Sequence, residues 1–357
     1  MSHPPLVLAL SAARDPAVVG GKGASLGELV RAGLPVPAGF VVTVDAFAAA
    51  LATLDPSGPR RAAIEALPAG DLAAITAVTA PFRALIAGAP LPDRVASAIA
   101  SAYGRLGTGG GPEEILIDTE VAVRSSATVE DSAGASFAGL QDTYLGVRDA
   151  QSVLEHVSRC WASLYNDESV AYRRRLRIPE AAVSMAVVVQ VMVAPRAAGV
   201  MFTRSPVSGD RSIVAIEATW GLGSALVSGD VTPDSFAVSK ITGEITTRRV
   251  AAKIKIHQAR ANGPASSPIT VSDTPPGLRD VPCLTDDEVR ALAAIGRQVE
   301  AHYHAPQDIE WALLDDGRIV LLQSRPETVW AARDVGPAGA PRPRPADHVL
   351  DLFGKPL

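Results

Sequence analysis

Two cysteines among 357 residues, Cys160 and Cys283, are too few for a disulfide framework or a zinc site, and both are expected as buried thiols. Basic residues are not in excess. With 33 Lys and Arg against 38 Asp and Glu, the net charge is −5, which excludes the cationic footprint of nucleic-acid binding. No apolar run approaches the roughly 20 residues that span a bilayer. Residues 1–10 lack the charged and apolar regions of a signal peptide, so the cytoplasm is the expected compartment. What is there is the composition of a globular protein, 47% apolar and 20% charged, in a chain long enough for two or three domains.

The most informative stretch lies near the C-terminus. Residues 308–314 and 318–325 alternate in polarity and flank Asp315-Asp316-Gly317, a strong hairpin signal. A two-residue Asp316-Gly317 loop would pair Asp315 with Arg318, Glu310 with Gln323 and Asp308 with Arg325. Strand side chains alternate faces, so Glu310, Gln323 and Arg325 would share one face. A carboxylate and an amide carbonyl beside a guanidinium suit a magnesium ion next to a phosphate. The alternative is a solvated hairpin edge with one salt bridge.

Elsewhere the chain offers partial matches to the same chemistry. Gly20-Gly21-Lys22-Gly23 precedes a helical segment over 24–32, so its backbone N–H groups, Lys22 and a helix start could face an anion; an ordinary turn is the alternative. The spacing is not that of a Walker A loop. Residues 46–105 are alanine-rich and helical, interrupted by prolines, and indicate only packing. Residues 121–124 read as a buried strand ending in Arg124, and 125–139 as a small-residue, hydroxyl-rich lid. Residues 153–177 read as helical, with Arg173-Arg174-Arg175 as a solvated, dipole-matched end. Residues 183–193 form an apolar strand. Gln190, Val191, Met192 and Val193 at its exit suggest a hinge whose backbone could read an adenine edge, while the residues before Gln190 read as plain core. Thr285-Asp286-Asp287-Glu288 is a capping box.

Taken in order, these stretches resemble the ATP-binding domain of the phosphoenolpyruvate synthase and pyruvate phosphate dikinase family, which includes rifamycin phosphotransferases. The resemblance rests on residues 20–27, 123–128 with Glu130-Asp131 and 136–139, 199–203, 220–223, and 308–311 with 322–326. It implies an α/β (α+β) ATP-grasp fold with nucleotide held between two subdomains, expected at 1–193 and 194–330, followed by a linker or tail at 331–357. It further implies that Lys22, Arg124 and Arg325 hold ATP phosphates, and that Thr128 and the hinge Gln190, Val191, Met192 and Val193 contact ATP. Glu310 and Gln323 would bind Mg2+.

Family enzymes phosphorylate a histidine on a swivelling domain and release AMP and phosphate. Here the threonine-serine-histidine motif of that domain is absent, since His3, His156, His257, His302, His304 and His348 lie in other contexts. The chain is therefore expected to be a piece of a longer protein or one subunit of a split enzyme. Its phosphohistidine-bearing partner would be supplied elsewhere. The alternatives are a phosphotransferase domain serving a small-molecule acceptor such as a rifamycin or phenol, and an ATP-binding regulatory module without turnover.

Overall fold

The computed structural model describes residues 4–106, 119–128, 142–260, 269–328 and 330. Residues 129–139 of the expected lid and the expected tail at 331–357 lie outside them.

β-Branched, alternating segments supply the strands. β1 (Val7–Ala9), β2 (Gly39–Val42), β3 (Val121–Ala127), β4 (Thr143–Val147) and β5 (Met185–Val191) form one sheet in the order β1-β2-β5-β3-β4. β6 (Ala197–Phe202), β7 (Ile213–Trp220), β8 (Asp234–Ser239) and β9 (Ile245–Arg249) begin a second sheet. A separate pair follows, β10 (Lys255–Ala259) with β11 (Ile269–Asp273). β12 (Gln307–Leu313) and β13 (Ile319–Pro326) complete the second sheet, ordered β13-β12-β6-β7-β8-β9. Every ladder between these strands is antiparallel, so the mixed α/β architecture is built without parallel crossovers.

The helices are α1 (Pro16–Arg31), α2 (Val44–Leu54), α3 (Pro59–Glu65), α4 (Leu72–Gly88), α5 (Asp93–Leu106), α6 (Ala150–Ser163), α7 (Asp167–Leu176), α8 (Ser224–Val227), α9 (Pro276–Arg279) and α10 (Asp286–Tyr303). One face of the first sheet, through Val121, Val123, Val187 and Val189, packs on Phe47, Phe82, Trp161 and Tyr165. The other face, through Val41, Ala186 and Val188, packs on Val19, Leu26 and Leu29 of α1. That cluster runs on to Met201, Ile216, Ile309 and Trp311 of the second sheet and to Leu292 and Val299 of α10. Helix α1 is thus the buried joint between the two sheets. Each fully buried Leu, Ile or Val contributes roughly 1.5–3 kcal/mol through removal from water. Both cysteines are buried and free, and desolvation pushes their thiols up.

Several local expectations hold. The capping box of α10 forms in full, with Thr285 accepting from the Glu288 N–H and Glu288 accepting from the Thr285 N–H. The alanine-rich region is four helices, with Pro56, Pro68, Pro90 and Pro92 outside them and Pro59 at the first position of α3.

Others are corrected. Lys22 is not in an open loop: helical structure lies on both sides of a break at Gly20, whose φ of 68° only glycine takes readily. Residues 153–177 are two helices, separated at Leu164–Asn166. Arg173 is not solvated; it is fully buried, donating to the Leu164 carbonyl and pairing with Glu180.

The C-terminal hairpin also differs in detail. Its loop is three residues, Asp315-Asp316-Gly317, closed by the Leu314 N–H on the Arg318 carbonyl, with Gly317 at φ 84°. Asp315 therefore does not pair with Arg318. A register shift between Glu310 and Trp311 leaves Leu322 as the extra residue of a bulge. The two irregularities offset each other, so the expected pairs Glu310↔Gln323 and Asp308↔Arg325 both form.

Candidate functional site

A cleft of about 400 Å³ opens between the two sheets. One wall comes from the first sheet: Ala122 and Arg124 of β3, Thr143 and Leu145 of β4, and Gln190 to Val193 at the end of β5. Arg124 and Gln190 share a face, because Ala122 pairs with Gln190 and Arg124 with Val188. The opposing wall is the second sheet, with Val200, Glu310 and Leu322, and the turn from Leu222 to Ser228.

Arg124 joins the walls. Its Nη1 donates to the Leu322 carbonyl at 2.9 Å, and its Nη2 lies 3.0 Å from Glu310 Oε2 and 2.6 Å from Gln323 Oε1. The bulge that exposes the Leu322 carbonyl is the same one that restores the Glu310–Gln323 pair. Two oxygens from neighbouring strands converge on one cationic nitrogen, an arrangement that also suits a hard metal ion. Among the described residues, no group of three or more His, Cys, Asp and Glu is gathered to hold a metal.

The cleft has unspent hydrogen-bonding capacity. Gln190 is 2% exposed and its buried Nε2 has no partner, and Arg124 Nε likewise has none. Both residues line the cleft. Orphaned buried donors are costly, about 1–3 kcal/mol each, and a ligand rich in acceptors would satisfy them. At the hinge, the N–H groups of Val191 and Met192 already donate to Ala38 and Glu120. Those two backbone donors are therefore spent, and the expectation that they read a base edge narrows to Gln190, Val193 and the hinge carbonyls.

The remaining expected site residues lie outside this lining. Lys22 stands on α1 just past the Gly20 break. That break is clamped to β3: the Gly23 N–H donates to Ser126 Oγ at 3.1 Å, and Ser126 Oγ donates to the Val19 carbonyl at 3.0 Å. The α1 backbone at Lys22 is thereby held against the C-terminal end of β3, which runs on to Ala127 and does not end at Arg124 as expected. Thr128 donates to the Ser184 carbonyl and faces an adjacent hollow with Gly21, Ala24, Ser25 and Ser324. Arg325 is exposed and pairs with Asp308 at 2.7 Å. Burial raises the Asp308 carboxyl even so, with Arg325 opposing the shift. Gln323 reaches the cleft through Arg124.

Sequence reasoning missed Thr143 and Leu145 of β4, a strand whose register on β3, with Arg124 opposite Thr143 and Val123 opposite Tyr144, is set across a long intervening segment. It also gave no role to the turn at 220–223, although its glycines were visible. There Gly221 has φ 68°, and an added Cβ would meet the His257 carbonyl at 2.3 Å.

The pyruvate phosphate dikinase AMP/ATP-binding domain family matches residues 16–343. A rifampicin phosphotransferase of Streptomyces sp is 45% identical over 314 residues, covering 87% of this chain and 34% of that protein. A probable phosphoenolpyruvate synthase of Methanothermobacter thermautotrophicus is 41% identical over 314 residues, covering 88% of this chain and 44% of that protein. The chain thus spans less than half the length of these curated relatives. A solved D-alanyl-alanine synthetase A of Vibrio cholerae aligns over 66% of this chain and 46% of its own, at 12% identity and a TM-score of 0.23, below what a shared fold requires. With nearly the whole described chain inside the family match, the protein belongs to the pyruvate phosphate dikinase AMP/ATP-binding domain family.

Proposed function

We propose that the cleft binds ATP and that the chain is the nucleotide-handling part of a phosphotransferase of ATP-grasp type. The observation that carries this reading is the buried, unpartnered Gln190 amide in the same cleft as the Arg124–Glu310–Gln323 cluster. A base at the hinge end and phosphates at the Arg124 end would use both. The sheet boundaries support a division into an N-terminal subdomain, 1–193, and a C-terminal one, 194–330.

Arg124, Lys22 and Arg325 would hold the phosphates and stabilise charge on the transferred group. Glu310 and Gln323 would hold Mg2+, which when bound neutralises phosphate charge. Because Arg124 Nη2 stands where the two oxygens converge, metal and guanidinium compete for that pair. Phosphoryl transfer to a histidine on a partner segment, with a second phosphoryl going to water, balances as ATP, histidine and water giving phosphohistidine, AMP and phosphate. Thr128 contributes from the adjacent hollow.

The acceptor at the end of that sequence is chosen outside this chain. A rifampicin phosphotransferase and a phosphoenolpyruvate synthase match the same region at 45% and 41% identity, so the domain is compatible with a small-molecule acceptor of either kind. The test is AMP release from ATP by the protein carrying this domain together with its phosphohistidine segment. Glu310→Ala should abolish it while circular dichroism stays unchanged; AMP formation at the wild-type rate in that variant would refute the assignment.

A further inference from the structure

The turn after β7 carries a side-chain array that phosphate chemistry does not use. Ser224, the first residue of α8, lines the cleft. Its Oγ lies 3.0 Å from Nδ1 of His257 on β10. The other ring nitrogen, Nε2, faces Oδ2 of Asp230 at 3.2 Å, a charge contact rather than an aligned hydrogen bond. Ser228 Oγ donates to that same Asp230 oxygen at 2.7 Å. His257 is only 5% exposed, and the Leu222 N–H donates to its carbonyl at 2.8 Å, so the ring is held against the turn.

The array has a direction. A carboxylate facing Nε2 favours the ring proton on that nitrogen, which leaves Nδ1 as an acceptor. Ser224 then donates its hydroxyl proton to Nδ1, and its oxygen presents only lone pairs to the cleft. A ligand group that meets it must be a donor.

Its place along the cleft identifies that group. A Cβ added at Gly223 would lie 3.8 Å from Ala198 Cβ and 4.0 Å from the Gly199 N. Ala198 pairs with Ala312, whereas Val200 pairs with Glu310, so the turn sits toward the Val193–Pro195 end of β6 and away from the Arg124–Glu310 cluster. In a nucleotide with its base at the hinge and its phosphates at Arg124, the sugar lies between the two. Ribose supplies hydroxyl donors there.

We propose that Ser224, oriented by His257 and Asp230, accepts a hydrogen bond from a ribose hydroxyl and makes the cleft select ribonucleotides over deoxyribonucleotides. This rests on the ATP reading above. Ser224 would contact the ligand; His257 and Asp230 are positioning residues.

Isothermal titration of the chain with ATP, 2′-deoxy-ATP and 3′-deoxy-ATP, each with Mg2+, tests it. Wild type should bind ATP about tenfold more tightly than at least one deoxy analogue, the effect of one net hydrogen bond. Ser224→Ala should weaken ATP to the level of that analogue and leave the analogue itself unchanged. Asp230→Asn, at an exposed position, should reduce the discrimination without loss of fold, and it serves if the serine variant is unstable. Equal binding of all three nucleotides by wild type, or full discrimination retained in Ser224→Ala or Asp230→Asn, would overturn the ribose assignment alone. Failure of wild type to bind any of them would overturn the ATP reading and this one with it.

Discussion

Arg124 on the first sheet stands 2.6 Å from Oε1 of Gln323 on the second. One guanidinium thus spans the cleft and reaches the side-chain pair proposed to hold a metal ion. Its planar fork serves three acceptors from one position, since Leu322 and Glu310 are bound as well.

Arg124→Lys keeps the charge and loses the fork. A single ammonium cannot span the Leu322 carbonyl and the Glu310–Gln323 pair in the same geometry. Once the metal takes Glu310 and Gln323, the fork is released to pair with phosphate oxygens; losing one such charge-assisted hydrogen bond, roughly 1.5–3 kcal/mol, should lower MgATP affinity about 10- to 100-fold. Calorimetric titration checks this, with urea denaturation as the control for fold.

The Gly20 break tests how Lys22 is positioned. A Cβ at residue 20 would lie 2.1 Å from the Ser126 carbonyl oxygen, at a φ that side chains rarely adopt. Gly20→Ala should therefore destabilise the chain by at least about 2 kcal/mol. Ser126→Ala removes the partner of both the Gly23 N–H and the Val19 carbonyl, and should cost about 1–3 kcal/mol. Urea denaturation measures both, and nucleotide affinity should drop in each variant that folds.

Glu217 lies on the same sheet face as Glu310, since both pair with Val200. Burial raises its carboxyl above the ordinary value of 4.5. A raised carboxyl favours the folded state while protonated, and that contribution is lost as pH rises from about 4.5 through the folded value. Glu217→Gln should match wild type in stability near pH 4 and become the more stable of the two as pH rises to neutrality. Denaturation series across that range would show the gap opening; a constant difference would contradict the burial argument.

How much of this was legible in the sequence depended on the range of the interactions. The hairpin pairs Glu310↔Gln323 and Asp308↔Arg325 were readable by counting, because turn chemistry and alternation are local. The three-residue loop and the Leu322 bulge were not, since each hides the other in the count. Arg173 looked like a solvated helix end because nothing local announces Glu180 and the Leu164 carbonyl as its buried partners. The spent N–H groups of Val191 and Met192 depend on Ala38 and Glu120, far off in sequence. Thr143 and the Ser224–His257–Asp230 array are likewise products of tertiary packing, and only the glycines at 221 and 223 hinted at a close approach.

In the proposed site, Glu310 and Gln323 hold the metal that accompanies ATP in the cleft. Titrating ATP into wild type and Glu310→Ala, with and without Mg2+, tests it most directly. Wild type should bind ATP much more tightly with Mg2+ than without it, and Glu310→Ala should bind equally in both conditions. An undiminished Mg2+ dependence in Glu310→Ala would contradict the account.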